Sequence, residues 1–260
     1  MDKNINPIGL FDSGIGGTSI WKEIHTLLPN ENTIYLADSI NAPYGQKTKE
    51  EIIELSFKNT EFLLEQNSKI IVVACNTATT NAIKELRAKY DVPIIGIEPA
   101  IKPAAIHTKT KSIGILATKG TLSSELFYKT VSNLEGINVI EQVGYDLVKL
   151  IEEGKIDSNE ITELLKTYLQ PMIEANIDYL VLGCSHYPYL VPQIKKILPE
   201  SVKIIDSGEA VARQTKLVLE KNDLLNNSNK KGDLKFYVNS DPTVLESILE
   251  NKYTVTKKDF

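Results

Sequence analysis

The sequence predicts an α/β fold of two similar lobes, each a mostly parallel sheet flanked by helices, with an active site in the cleft between them. Three observations carry this. Short apolar runs rich in Ile and Val alternate with longer segments of helical periodicity along 260 residues, which is how βαβ units read. The runs are near-continuously apolar, as strands covered on both faces are. A faint internal repeat also links the two halves. Ile8-Gly9-Leu10-Phe11-Asp12-Ser13 resembles Ile113-Gly114-Ile115-Leu116-Ala117-Thr118, residues 69–77 resemble 178–186, and residues 94–100 resemble 204–210, all in the same order and at similar spacing.

In chain order, strands are expected at 7–11, 33–37, 69–74, 93–97, 112–116, 138–142, 178–183, 202–206 and 234–238. Helices fill the gaps. Thr48 followed three residues later by Glu51 is a capping-box pattern, and Ile52, Ile53, Phe57, Leu63 and Leu64 continue it. Ile161, Leu164, Leu165, Tyr168, Leu169, Met172 and Ile173 share one helical face. Asp241-Pro242 reads as an N-cap with Pro at the first helical position. Residues 221–232, KNDLLNNSNKKG, read as a polar, mobile loop.

Composition narrows the function. Lys+Arg 29 against Asp+Glu 34 leaves a net charge of −5. That argues against a nucleic-acid binder relying on phosphate neutralisation and against a polybasic membrane surface. No apolar run approaches the roughly 20 residues of a membrane span. The start, MDKNINPIGLF, has no basic region followed by a sustained apolar stretch. A cytoplasmic protein with two free thiols is expected. Two Cys and three His (His25, His107, His186) show no metal-finger spacing, so no metal is expected.

The two cysteines occupy matching places in the repeat. Each follows an apolar strand and precedes a polar pair, in Cys75-Asn76-Thr77 and Cys184-Ser185-His186. Ligands of open parallel sheets bind outside the carboxyl ends of the strands, so two thiols can face each other across one ligand. Two buried structural cysteines are the plainer alternative. Opposed thiols suit inversion at one carbon, one removing a proton while the other delivers one from behind. A thiol of ordinary pKa, about 8.5, needs help to ionise near neutral pH. His186 is placed to relay a proton. Asp12 ends the first strand and can orient a base, meet a substrate ammonium or cap a helix. Gly14, Gly16 and Gly17 lack the third glycine of a dinucleotide fingerprint, because Ser19 stands there. Their loop reads as backbone approaching a small ligand, with Ser13 adding a hydroxyl. Arg87 and Arg213 lie in helical patterns, so anion donors are sought among Ser13, Asn76, Thr77, Thr118, Thr121 and Ser185. The turn Asn41-Ala42-Pro43-Tyr44-Gly45 lies on the same edge.

Six motifs then stand in order: Phe11-Asp12-Ser13-Gly14-Ile15-Gly16-Gly17, Ala37-Asp38 with Pro43-Tyr44-Gly45, Ala74-Cys75-Asn76-Thr77-Ala78, Gly96-Ile97-Glu98-Pro99, Gly183-Cys184-Ser185-His186-Tyr187-Pro188 and Asp206-Ser207-Gly208-Glu209-Ala210. Together, over about residues 8–210, they resemble the glutamate racemases of the aspartate/glutamate racemase superfamily. The resemblance implies a cofactor-independent, two-thiol racemisation of L- and D-glutamate that supplies D-glutamate for bacterial peptidoglycan. It implies that Cys75 takes the proton from D-glutamate and Cys184 from L-glutamate, assisted by Asp12 and His186, with Glu152 supporting the histidine. Substrate would be held at Asp12, Ser13, Tyr44, Gly45, Asn76, Thr77, Ser185 and His186. The implied lobes are residues 1–98 plus 208–260, the final segment returning to the first lobe, and residues 99–207. Ser185 stands where the family usually has Thr, and Gly208 where it often has Ala.

Two other readings remain at this level. One is a racemase for aspartate or hydantoins. The other is a non-catalytic, partner-binding protein on the same fold. The expected partner is a small amino acid, with neither nucleic acid nor membrane. Oligomeric state is not legible, and a homodimer stays open. If the lobes pack as the repeat suggests, Asp12 should lie nearer Cys75 and His186 nearer Cys184.

Overall fold

The structure, a computed structural model, describes residues 3–260. Its first lobe is built on a six-stranded sheet ordered β10-β9-β2-β1-β3-β4. The strands are β1 (Ile8–Asp12), β2 (Thr33–Ala37), β3 (Ile70–Val73), β4 (Ile94–Gly96), β9 (Leu234–Val238) and β10 (Val255–Lys257). The second lobe carries a four-stranded sheet ordered β6-β5-β7-β8, from β5 (Ser112–Ala117), β6 (Asn138–Val143), β7 (Tyr179–Gly183) and β8 (Lys203–Ile205). All pairings are parallel. The order β2-β1-β3-β4 of one sheet matches β6-β5-β7-β8 of the other, which is the internal repeat in three dimensions. All nine expected strands are present. The tenth, β10, was not expected: it has three residues, two of them exposed and polar.

Eleven α-helices are described: α1 (Thr18–Leu27), α2 (Lys49–Glu65), α3 (Asn76–Lys89), α4 (Ile101–His107), α5 (Lys119–Leu122), α6 (Glu125–Ser132), α7 (Leu147–Glu152), α8 (Asn159–Glu174), α9 (Val191–Ile197), α10 (Gly208–Lys221) and α11 (Thr243–Ile248). The Thr48–Glu51 capping box forms both of its reciprocal bonds at the head of α2. Helix α11 starts one residue later than expected, with Pro242 at the cap, while Asp241 Oδ1 accepts the Thr243 N–H at 2.8 Å. The stretch after Lys221 is irregular, but it is tied down. Asn226 N–H donates to Glu31 Oε1 at 2.7 Å and its side chain to Asn30 O at 2.7 Å. Among the described residues no helix is long and apolar enough to cross a membrane.

The pleat sorts the core. Along β3, Ile70 and Val72 join the cluster that runs through both lobes, while Ile71 and Val73 join the one behind the first sheet. Along β7, Leu180 and Leu182 join the shared cluster, and Tyr179 and Val181 the one behind the second sheet. Register aligns the strand ends: Asp12 pairs with Ala37 and Ala117 with Gly183. The loops leaving β1, β2 and β3 therefore open on one edge, as do those leaving β5 and β7.

Candidate active site

Both cysteines lie where a central strand of their lobe ends. Cys75 caps α3, its sulfur accepting the Ala78 N–H at 3.4 Å while its thiol donates to Ser13 Oγ at 3.6 Å. Cys184 follows β7, with Sγ 3.8 Å from His186 Nδ1. Both are buried, and both line one pocket with Ser13, Pro43, Tyr44, Gly45, Asn76, Thr77, Thr118, Val148, Ser185 and His186. The repeat thus brings one thiol from each lobe to a common space.

The carboxylate of Glu152, at the end of α7, sets the histidine. Its Oε1 lies 2.6 Å from His186 Nε2. Gly16 N is 3.3 Å from the same nitrogen. The shorter contact assigns the proton to Nε2, since a carboxylate only accepts, and leaves Nδ1 turned toward Cys184 Sγ and Ser185 Oγ (3.4 Å). Burial works against charge on the ring, but the bonds to Cys184 and Glu152 and the charge of Asp12 outweigh it. They hold the imidazole well above its usual pKa. The result is a carboxylate–imidazole–thiol row of contacts that ends at Cys184.

Beside Cys75 stand the Ser13 hydroxyl and the Ala78 N–H in place of an imidazole. Burial, then the charge of Asp12, push its thiol far up, so at rest it carries its proton. Asp12 is itself raised, by burial first, against the pull of His186 and the Ser185 hydrogen bond. It caps no helix, since Gly17 stands at the N-cap of α1. Its Oδ2 accepts the Gly14 N–H at 3.1 Å, and its Oδ1 accepts the Ser185 hydroxyl at 2.8 Å across the cleft. His186 thus lies against Cys184 as expected. Asp12 acts on Cys75 through charge, and Ser13 makes the contact.

The substrate-site candidates gather on the same edge. Thr77, Thr118 and Thr121 form a triangle of hydroxyls spanning the lobes, with Oγ1 separations of 2.8, 3.1 and 3.3 Å. Neither polar side-chain atom of buried Asn76 has a hydrogen-bond partner. Buried amides are normally satisfied, which makes Asn76, in the wall of the same pocket, a candidate substrate contact. Tyr44 and Gly45 line the pocket, but the Tyr44 hydroxyl is spent on Asp38 and on Asn59, 3.0 Å away. His25 stacks on Trp21, His107 is exposed at the end of α4, Arg87 binds Ile94 O and Arg213 pairs with Glu209 on the surface.

Sequence reasoning gave no role to two residues. Buried Asp38, quoted only within the Ala37-Asp38 motif, directly follows β2 and accepts from Tyr44, Asn41 and Asn239. Its strand-end position was the available signal. Ser39, whose hydroxyl reaches Glu152 Oε2 at 2.7 Å, carries none.

The Asp/Glu/Hydantoin racemase family model matches residues 8–215. A glutamate racemase of Pseudomonas putida is 44% identical over 251 residues, covering 96% of this chain and 94% of its own. The fold is similar to Escherichia coli glutamate racemase in complex with L-glutamate and the activator UDP-MurNAc-ala (TM-score 0.85, 32% identity, 97% and 98% of the two chains). It is also similar to the Francisella tularensis glutamate racemase in complex with D-glutamate (TM-score 0.84, 31% identity, 98% of each chain).

Proposed function

The chain belongs to the Asp/Glu/hydantoin racemase family, and from that premise we propose that it is an isomerase interconverting L- and D-glutamate by proton transfer between two thiols, without a cofactor. The observation that carries this is the single pocket lined by Cys75 from one lobe and Cys184 from the other. Similarity to enzymes solved with each enantiomer supports glutamate as the substrate. The product would serve bacterial peptidoglycan, in the cytoplasm. The lobes are drawn at 1–98 plus 208–260 and 99–207.

With L-glutamate, Cys184 as thiolate takes the α-proton. The electron pair is delocalised into the α-carboxylate, and the Cys75 thiol gives its proton to the opposite face. Cys184 ends as thiol and Cys75 as thiolate, so the reverse reaction starts from D-glutamate with the roles exchanged. The raised pKa of the buried Cys75 thiol suits it to donate the proton in the first direction. Glu152 and His186 form the relay behind Cys184. Asp12 and Ser13 support the other face, while Asn76, Thr77, Thr118, Thr121, Tyr44, Gly45 and Ser185 hold the substrate.

Incubation with L-glutamate in deuterated water tests this. The α-proton signal should disappear as optical rotation decays to zero. Cys75→Ala and Cys184→Ala should each abolish turnover in a folded chain, and near wild-type racemisation by either would refute the two-thiol scheme.

A further inference from the structure

Glu152 belongs to the second lobe, yet two of its three hydrogen-bond donors come from the first. The Ile15 N–H donates to Oε1 at 2.7 Å and the Ser39 hydroxyl to Oε2 at 2.7 Å. The third donor is His186. Ser39 opens a single 3-10 turn, Ser39–Asn41, directly after β2. That turn is itself fastened. Asn239, just past β9, donates to Asp38 Oδ1 at 2.6 Å and accepts the Ile40 N–H at 3.0 Å. Asn41 donates to Asp38 at 2.8 Å. Strands β2 and β9, in register from Thr33↔Leu234 to Ala37↔Val238, therefore present one hydroxyl rigidly to a carboxylate across the cleft.

We propose that Ser39 is a positioning residue: by fixing Glu152 it fixes His186, so the relay behind Cys184 is fully assembled only across the cleft between the lobes. A carboxylate can pivot about its last bond, and one donor on each oxygen stops it. Oε2 has Ser39, and Oε1 has Ile15 and His186. Without Ser39 the carboxylate can rotate, and the imidazole loses the fixed direction that turns Nδ1 to the thiol. Such orientation is worth rate, because a base must meet its proton in a narrow geometry. The proposal rests on the reading of Glu152 and His186 given above.

The test is a double-substitution cycle read as initial rates. Ser39→Ala should lower kcat from L-glutamate about tenfold, the scale of losing one hydrogen bond to a charged group. Ser39→Thr keeps the hydroxyl and should restore most of that loss. In a Glu152→Gln background Ser39→Ala should cost little more, since it acts through the carboxylate. Thermal melting of the half-buried Ser39→Ala variant confirms that a folded chain is measured. Full independent losses from the two substitutions would overturn the proposal, as would a wild-type rate for Ser39→Ala. If Glu152→Gln is crippled while Ser39→Ala is unaffected, only the positioning role of Ser39 falls. If Glu152→Gln is itself unimpaired, the relay falls with it.

Discussion

The raised pKa of buried His186 has a consequence for stability. In the unfolded chain an imidazole loses its proton near pH 6.5. In the folded chain bonds to Cys184 and Glu152 retain it well above that value. Between the two the native state binds more protons than the unfolded state, so stability is full below pH 6.5 and falls as pH rises through the window. One proton sets an upper slope of about 1.4 kcal/mol per pH unit. Asp12, raised from 3.8, and Cys75, raised from 9.0, add losses of the same sign, so the histidine's share is read as the difference between wild type and a His186 variant. Urea unfolding at steps from pH 6.5 to 8.5 should show wild-type stability declining more steeply than that of His186→Gln. Parallel curves would mean that His186 is neutral in the folded protein.

At the scale of elements, the loop between β1 and α1 explains why its glycines are needed. A Cβ on Gly14 would lie 1.9 Å from Glu152 Oε1, and one on Gly16 would lie 2.3 Å from His186 Nδ1. The loop is pressed against the relay, so Gly14→Ala must displace the carboxylate. Activity should fall about 10²-fold, as for misplacement near 1 Å, with a stability loss of about 1–3 kcal/mol from overpacking. Full activity in Gly14→Ala would show that the carboxylate has another productive place. By contrast Thr48→Ala, outside the lining of the two-thiol pocket, should cost about 1 kcal/mol through the lost cap and leave turnover intact; melting and initial rates separate the two effects. These elements differ in how readable they were. Buried parallel strands announce themselves by unbroken Ile and Val, and the capping box by two residues three apart. β10 is short and mostly exposed, so apolar pattern says nothing about it. Cys75, Cys184, Asp12 and His186 were legible because each stands at a strand end. Ser39 was not, because a lone serine in a turn signals nothing until the opposite lobe is in place.

Across the whole molecule, the lobes meet around the cleft through polar contacts. Ser185 reaches Asp12, Ser39 and Ile15 reach Glu152, Thr18 meets Tyr189 at 2.6 Å, and Asn81 donates to Gly120 O at 3.0 Å. On the far side Ser207, leading into α10, donates to the carbonyl of Glu98, so the two chain crossings are bonded together. A ligand in the cleft touches both lobes and binds only the folded chain, which makes it a stabiliser. At one hundred times its Kd, glutamate should add about 2.7 kcal/mol, or roughly 5–10 °C in Tm for a chain of this size. Asn76 should divide stability from binding. With both side-chain polar atoms buried and unpartnered, its amide costs the unliganded protein about 1–3 kcal/mol. Asn76→Ala removes that cost and leaves a small cavity against it. The unliganded Tm should therefore hold or rise, while the shift produced by glutamate falls to less than half. Calorimetric melts of both chains, with and without racemic glutamate at matched ionic strength, read this directly. A lower unliganded Tm with the glutamate shift intact would make Asn76 a structural residue and move substrate recognition to the threonine hydroxyls.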